Sequence, residues 1–158
     1  MCETRPRLQG ARLTAFELWW DQIPLTLITD NMVGYVMSRG LVSKVIVGAD
    51  RILASGHIIN KIGTLTVALI ARAFKIPFYV AAPLSTFDLY TQYQDVIIEE
   101  RDENEVKQIG GVSIAPSEVP ALNPAFDITP PELTTAIITE RGGITKPYMK
   151  NIPKLFKG

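Results

Sequence analysis

The stretch Lys44–Thr64, KVIVGADRILASGHIINKIGT, limits what this chain can fold into more than any other part of it. Val45, Ile46 and Val47 form a β-branched run of strand length, too short for a helix. Gly48-Ala49 ends that strand and leaves Asp50 at its carboxyl end. Downstream, Asn60-Lys61-Ile62-Gly63-Thr64 leads into a helix over 62–74, with Leu65, Val67, Ala68, Leu69, Ile70, Ala71 and Phe74 apolar on more than one face. Such a helix is buried on both sides, in a thick core or at a subunit contact. A carboxylate at a strand end and a lysine at a helix start can hold the two ends of one small phosphorylated ligand.

The flanking sequence continues the alternation. Glu3–Gly10 is a polar loop, and Thr14–Asp21 reads as a helix with Leu13, Phe16 and Trp20 on one face. Pro24–Ile28 reads as a strand and Thr29-Asp30-Asn31 as a loop and N-cap. A helix follows to Arg39, with Met32, Val33, Val36 and Met37 on its buried stripe and Gly40 as its stop. Pro77–Ala82 is another strand, ending at Pro83-Leu84-Ser85-Thr86. The order helix–strand–helix–strand–helix–strand is that of an α/β fold with a parallel sheet and right-handed crossovers. Ligands of such sheets bind beyond the carboxyl ends of the strands, so Asp30, Asp50 and Ser85 should crowd one rim.

Past Thr86 the pattern loosens. Val96–Glu99 reads as a strand, Glu99–Glu103 as a solvated charge cluster and Asp102–Val106 as a short helix. Residues 110–124 read as loop. Thr129 is the expected N-cap of a helix opened by Pro130-Pro131 and running to Glu140, where Gly142-Gly143 stops it. Residues 144–158 carry no pattern.

Composition removes several function classes. With 158 residues the chain suits one domain that buries roughly 70% of its unfolded surface. Sixteen basic and sixteen acidic residues balance, without a basic run, so binding of nucleic acid by charge has no support. The lone Cys2 cannot form an internal disulfide, which fits the cytoplasm. One histidine and one cysteine leave no metal site of the usual spacing. The sequence reads as having neither a signal peptide nor a membrane-spanning segment.

Among single residues, Asp50 at a strand end can act as a general acid or base in a closed apolar pocket, or simply pair with adjacent Arg51. Lys61 can receive an anion together with free amides of the helix start; the plainer alternative is an exposed lysine after an Asn60 N-cap. Gln9 offers an amide donor and acceptor for sugar hydroxyls, or a solvated loop side chain. Gly63-Thr64 lacks the spacing of a Walker loop. His57 lies in a turn and has no assigned role, and Cys2 is not a nucleophile candidate.

Taken together, several motifs resemble one family. They are Glu3-Thr4-Arg5-Pro6-Arg7-Leu8-Gln9-Gly10-Ala11-Arg12-Leu13-Thr14, Val47-Gly48-Ala49-Asp50-Arg51, Asn60-Lys61-Ile62-Gly63-Thr64, Pro77 to Thr86, Ile98-Glu99-Glu100-Arg101 and Asn123 to Pro130. In this order they resemble methylthioribose-1-phosphate isomerases across residues 3–145. That superfamily includes regulatory subunits of translation initiation factor 2B and ribose-1,5-bisphosphate isomerase. The resemblance implies a Rossmann-like, doubly wound, mostly parallel sheet with helices on both faces. It implies a homodimer, and conversion of 5-methylthioribose 1-phosphate to 5-methylthioribulose 1-phosphate in methionine salvage, without metal or organic cofactor. It carries the catalytic aspartate onto Asp50 and substrate binding onto Gln9, Asn60 and Lys61.

The resemblance also marks a departure. The family's catalytic cysteine and its phosphate-holding arginines lie in an amino-terminal region without counterpart here, and Cys2 cannot replace that cysteine. The expectation is a carboxyl-terminal half of a longer architecture, inactive by itself. Two other readings stay open: a regulatory, initiation-factor-2B-like binding subunit, and a ribose-1,5-bisphosphate isomerase. Asp50 within GADR and Gln9 after ETRP favour the methylthioribose enzyme.

Overall fold

The computed structural model describes residues 1–156. A π-turn over Gly10–Thr14 runs into α1 (Ala15–Trp20), and α2 (Val33–Ser38) follows a 3-10 turn at Asp30–Met32. Next come β1 (Val45–Val47), β2 (Arg51–Leu53), β3 (Ile58–Lys61), α3 (Thr64–Ala73), β4 (Phe78–Ala81) and β5 (Phe87–Asp88). The remainder holds α4 (Asn104–Lys107), β6 (Gln108–Ile109), β7 (Val112–Ser113), β8 (Phe126–Thr129), β9 (Ala136–Thr139), β10 (Gly142–Ile144) and α5 (Tyr148–Asn151).

The fold is α/β, with parallel and antiparallel pairing in two four-stranded sheets. One sheet has the order β1-β4-β9-β10, parallel except for the last hairpin; the other has the order β5-β2-β3-β8. In the second sheet only β2 and β5 are parallel. β6 and β7 form a separate ribbon. Phe78, Val80 and Ile137 lie in the core with Ala68 and Ala71 of α3, all essentially inaccessible to water. Burying each large side chain contributes about 1.5–3 kcal/mol. Alanines at the contact face let α3 approach the core closely, which explains their place in an otherwise bulky helix.

Several expectations need correction. Residues 130–140 are not a helix: Pro131–Leu133 makes one 3-10 turn and Ala136–Thr139 is a strand. Thr134, Thr135, Ile137, Ile138 and Thr139 are β-branched, and that preference outweighs the Pro-Pro helix opening. Gly142 at φ 112° turns the β9–β10 hairpin rather than stopping a helix. Pro24–Ile28 pairs with nothing beyond a single parallel bridge between Ile28 and Cys2, and Val96–Glu99 is no strand, the only nearby pairing being Glu100 with Pro124. Met32 is exposed instead of lying on the buried stripe, and so are Leu13, Phe16 and Trp20 of the first helical face. The tail does have structure: Tyr148 of α5 and Ile152 are buried against the core.

Candidate functional site

The residues between Asp50 and Asn60 form an antiparallel hairpin of β2 and β3, with Arg51 opposite Ile59. Arg51, Ile52, Leu53 and Ile58-Ile59 are a strand-forming set, and Gly56 at φ 85° lets the connection close. The Asp50 N–H donates to the Ile59 carbonyl at 3.0 Å, so Asp50 stands across the hairpin from Asn60. Two motifs that are distant in sequence thus become neighbours. Asp50 is exposed, not enclosed in an apolar pocket. Nor does it pair with Arg51, whose guanidinium instead meets Asp88 at 3.7 Å. Among the described residues the Asp50 carboxylate has no hydrogen bond or salt bridge.

Asn60 and Lys61 sit at the end of β3, opposite Asp127 and Phe126 of β8. Asn60 Nδ2 donates to Thr64 Oγ1 at 3.0 Å, and that hydroxyl donates to the Lys61 carbonyl at 2.7 Å. The amide is thereby oriented with its oxygen left over as an acceptor. The amino terminus of α3 is not free for an anion: Asp127 accepts from the N–H groups of Gly63 at 2.7 Å and Leu65 at 3.0 Å. A cross-strand carboxylate occupies the place expected for a ligand. Lys61 itself is half-buried and has no salt-bridge partner among the described residues. Burial pushes its ammonium below the usual lysine pKa; Arg101 and Arg7 push it further, against Glu105 and Glu99. Asp127 goes the other way, because burial lifts its carboxyl while the two amide bonds lower it.

The ETRPR loop is held from below. Asp30 accepts from the N–H groups of Thr4 at 2.9 Å and Arg5 at 2.6 Å. The Arg5 guanidinium reaches across to the carbonyls of Val106 at 2.7 Å and Gln108 at 3.4 Å. Gln9 follows with its Oε1 buried and without a partner, an acceptor in want of a donor. Its side chain makes no contact with Asp50, Asn60 or Lys61 through a hydrogen bond. So the structure sets Asp50 and Asn60 opposite each other across the hairpin, with Lys61 the next residue along β3, and among the described residues Gln9 makes no contact with them through a hydrogen bond.

Sequence reasoning placed Asp30 on the strand-end rim, but not as the support of the Thr4–Arg5 loop, and it missed Asp127, whose carboxylate positions the α3 start. The signal for Asp127 was its place inside the Asn123–Pro130 motif. Cys2 is half-buried, its thiol pushed up by burial and by Asp30. His57 stacks on Tyr93 at 4.3 Å and shares a hydrogen bond with Ser55 at 2.9 Å, a structural role. Among the described residues no helix is long and apolar enough to cross a membrane.

Comparison with known proteins gives consistent results. A family profile described as the Initiation factor 2 subunit family matches residues 1–146. A protein of Carboxydothermus hydrogenoformans named methylthioribose-1-phosphate isomerase is 60% identical over 157 residues, covering 99% of this chain and 46% of the relative. The crystal structure of 5-methylthioribose 1-phosphate isomerase from Pyrococcus horikoshii OT3 superposes with a TM-score of 0.97 at 49% identity, over 99% of this chain and 44% of that one. A crystal structure titled translation initiation factor eIF-2B, subunit delta, from A. fulgidus gives 0.96 at 55% identity, over 99% and 46%. The chain spans about half the length of the curated relatives it matches.

Proposed function

Because the chain belongs to the Initiation factor 2 subunit family, we propose that it forms the carboxyl-terminal part of an isomerase. The reaction converts 5-methylthioribose 1-phosphate to 5-methylthioribulose 1-phosphate, within methionine salvage in the cytoplasm. One observation carries the reading: Asp50, whose carboxylate makes no hydrogen bond or salt bridge among the described residues, stands opposite Asn60, and Lys61 follows Asn60 at the end of the same hairpin. The reaction moves hydrogen from C2 to C1, turns the C2 hydroxyl into a carbonyl and returns a proton to the ring oxygen. Asp50 is suited to carry that proton, and the phosphate remains on C1. Asn60 and Lys61 would hold the substrate, with the unpartnered Gln9 oxygen accepting from a sugar hydroxyl.

The same reading takes β1-β4-β9 as a Rossmann-like, doubly wound arrangement, supported by its parallel register. It includes a homodimer, supported by the exposed Leu69 and Phe74 of α3 and the exposed Tyr35 of neighbouring α2. Carbon-13 NMR of the sugar tests the activity: a protein of the relatives' length that carries residues 1–158 should generate a ketone carbon from 5-methylthioribose 1-phosphate. An unchanged substrate spectrum overturns the reading. A regulatory, initiation-factor-like subunit is the second reading, favoured by the likeness to the A. fulgidus delta-subunit structure. It expects binding of a sugar phosphate or nucleotide without turnover.

A further inference from the structure

Glu99, Glu100 and Asp102 of the charge cluster Glu99–Glu103 are exposed, as expected, while Arg101 and Glu103 are half-buried. The start of the cluster runs antiparallel to residues 123–125: the Arg101 N–H donates to the Asn123 carbonyl at 2.9 Å, and the Ala125 N–H donates to the Glu99 carbonyl at 2.8 Å. The exposed Glu100 side chain accepts the Asn123 N–H. This pairing fixes Arg101 over the ring of Phe126, with its guanidinium carbon 5.6 Å from the ring centroid. Phe126 is the residue paired with Lys61 across β3 and β8. An aromatic platform therefore holds one cation beside another.

We propose that Arg101 is a specificity-determining residue of the same site, a second cation that, with Lys61, binds the phosphate of a sugar 1-phosphate. The inference rests on the isomerase reading for the sugar, but the phosphate subsite can be tested without it. Glu99 binds Arg101 through Nε at 2.9 Å and Nη2 at 3.3 Å, while Nη1 makes no hydrogen bond among the described residues. One edge of the guanidinium is open. The cation thus lies beside Lys61, over the Phe126 ring. A 1-phosphate has its ester oxygen on C1, one of the two carbons that exchange hydrogen, so its phosphate must be held close to the reacting centre. Two neighbouring cations repel each other, and a doubly charged phosphate between them removes that cost.

Titration of the 158-residue chain with inorganic phosphate, followed by NMR of the Arg101 Nε and the Asn60–Thr64 amides, decides the matter. The wild type should respond at both places in the millimolar range. Arg101→Met should weaken phosphate binding about tenfold or more, the effect of one charge-assisted hydrogen bond. Arg101→Lys should recover part of the loss, and Glu99→Gln, which breaks only the ion pair, should retain binding. Circular dichroism of each variant separates misfolding from lost affinity. The proposal is overturned if folded Arg101→Met binds phosphate as the wild type does while Lys61→Met does not, or if phosphate leaves both places unmoved. The isomerase reading fails separately: phosphate would perturb Arg101 and Lys61, yet 5-methylthioribose 1-phosphate would bind no better than phosphate itself.

Discussion

Asp50 is the residue at which chemistry and stability can be told apart. Among the described residues its side chain makes no hydrogen bond or salt bridge, so Asp50→Asn removes acid–base capacity while leaving the packing untouched. In a protein of the relatives' length that carries these residues we expect turnover to fall by roughly 10²–10⁴, the usual contribution of one positioned acid or base. The melting temperature should stay near the wild type's. Kinetics and thermal denaturation on one preparation check both, and an unchanged rate would remove Asp50 from the mechanism. Lys61 gives a pH prediction. Burial and the neighbouring guanidinium groups hold its pKa below 10.5, so it loses its charge at lower pH than an ordinary lysine. Phosphate affinity should be present below that point and decline as pH rises through it. Lys61→Met should abolish the decline, as a phosphate titration across alkaline pH would reveal.

At the scale of elements, two devices set the site. Asp127 of β8 caps α3 and so fixes the turn that presents Lys61. Asp127→Ala should cost about 0.5–2 kcal/mol, the range for losing a helix cap, and should weaken phosphate binding as the turn loosens. Its pKa is raised above 3.8 in the folded chain. Burial of the carboxyl thus adds a pH-linked contribution to stability that is complete below the unfolded pKa and is lost as pH rises through the folded one, while the two amide bonds favour the ionised carboxylate. Asp127→Asn should flatten that slope in denaturant melts taken from acid to neutral pH. The second device is the hairpin turn at Gly56, where an added Cβ would lie 2.7 Å from Tyr148 and φ is 85°. Gly56→Ala must both strain the backbone and displace a buried ring. We expect a loss of roughly 2–4 kcal/mol in urea denaturation. A loss under half a kilocalorie per mole would mean that the tail repacks freely around the hairpin.

For the whole molecule, apolar surface is the dominant feature. Trp19 and Trp20 are 65% and 69% exposed, and Leu13, Phe16 and Ile23 add to the same end of the chain. Leu69 of α3 is 51% exposed, so one side of a helix read as doubly buried faces outward. Surfaces of this kind mark interfaces rather than ordinary monomer exteriors. A homodimer that includes α3 or its neighbour α2 should sediment as a dimer at micromolar concentration. A stable, soluble monomer under those conditions would count decisively against it.

The sequence by itself determined the strand Val45–Val47, the apolar helix Thr64–Ala73 and the strand Phe78–Ala81, because each is specified by the periodicity of its own residues. Motif resemblance singles out Asp50, Asn60 and Lys61 as the proposed site. Only the tertiary structure decided how these meet. Around the turn at His57 the strands β2 and β3 are too short to be marked by their own periodicity, and the Pro-Pro opening points to a helix where the β-branched run forms β9. Asp127 lies 64 residues from the Gly63 amide it caps, and Arg101 meets Lys61 only through the cross-strand partner Phe126. Local patterns record what a segment does with its own neighbours. Strand register and long-range hydrogen bonds depend on which segments come together, and it is these contacts that place the charges of the site side by side.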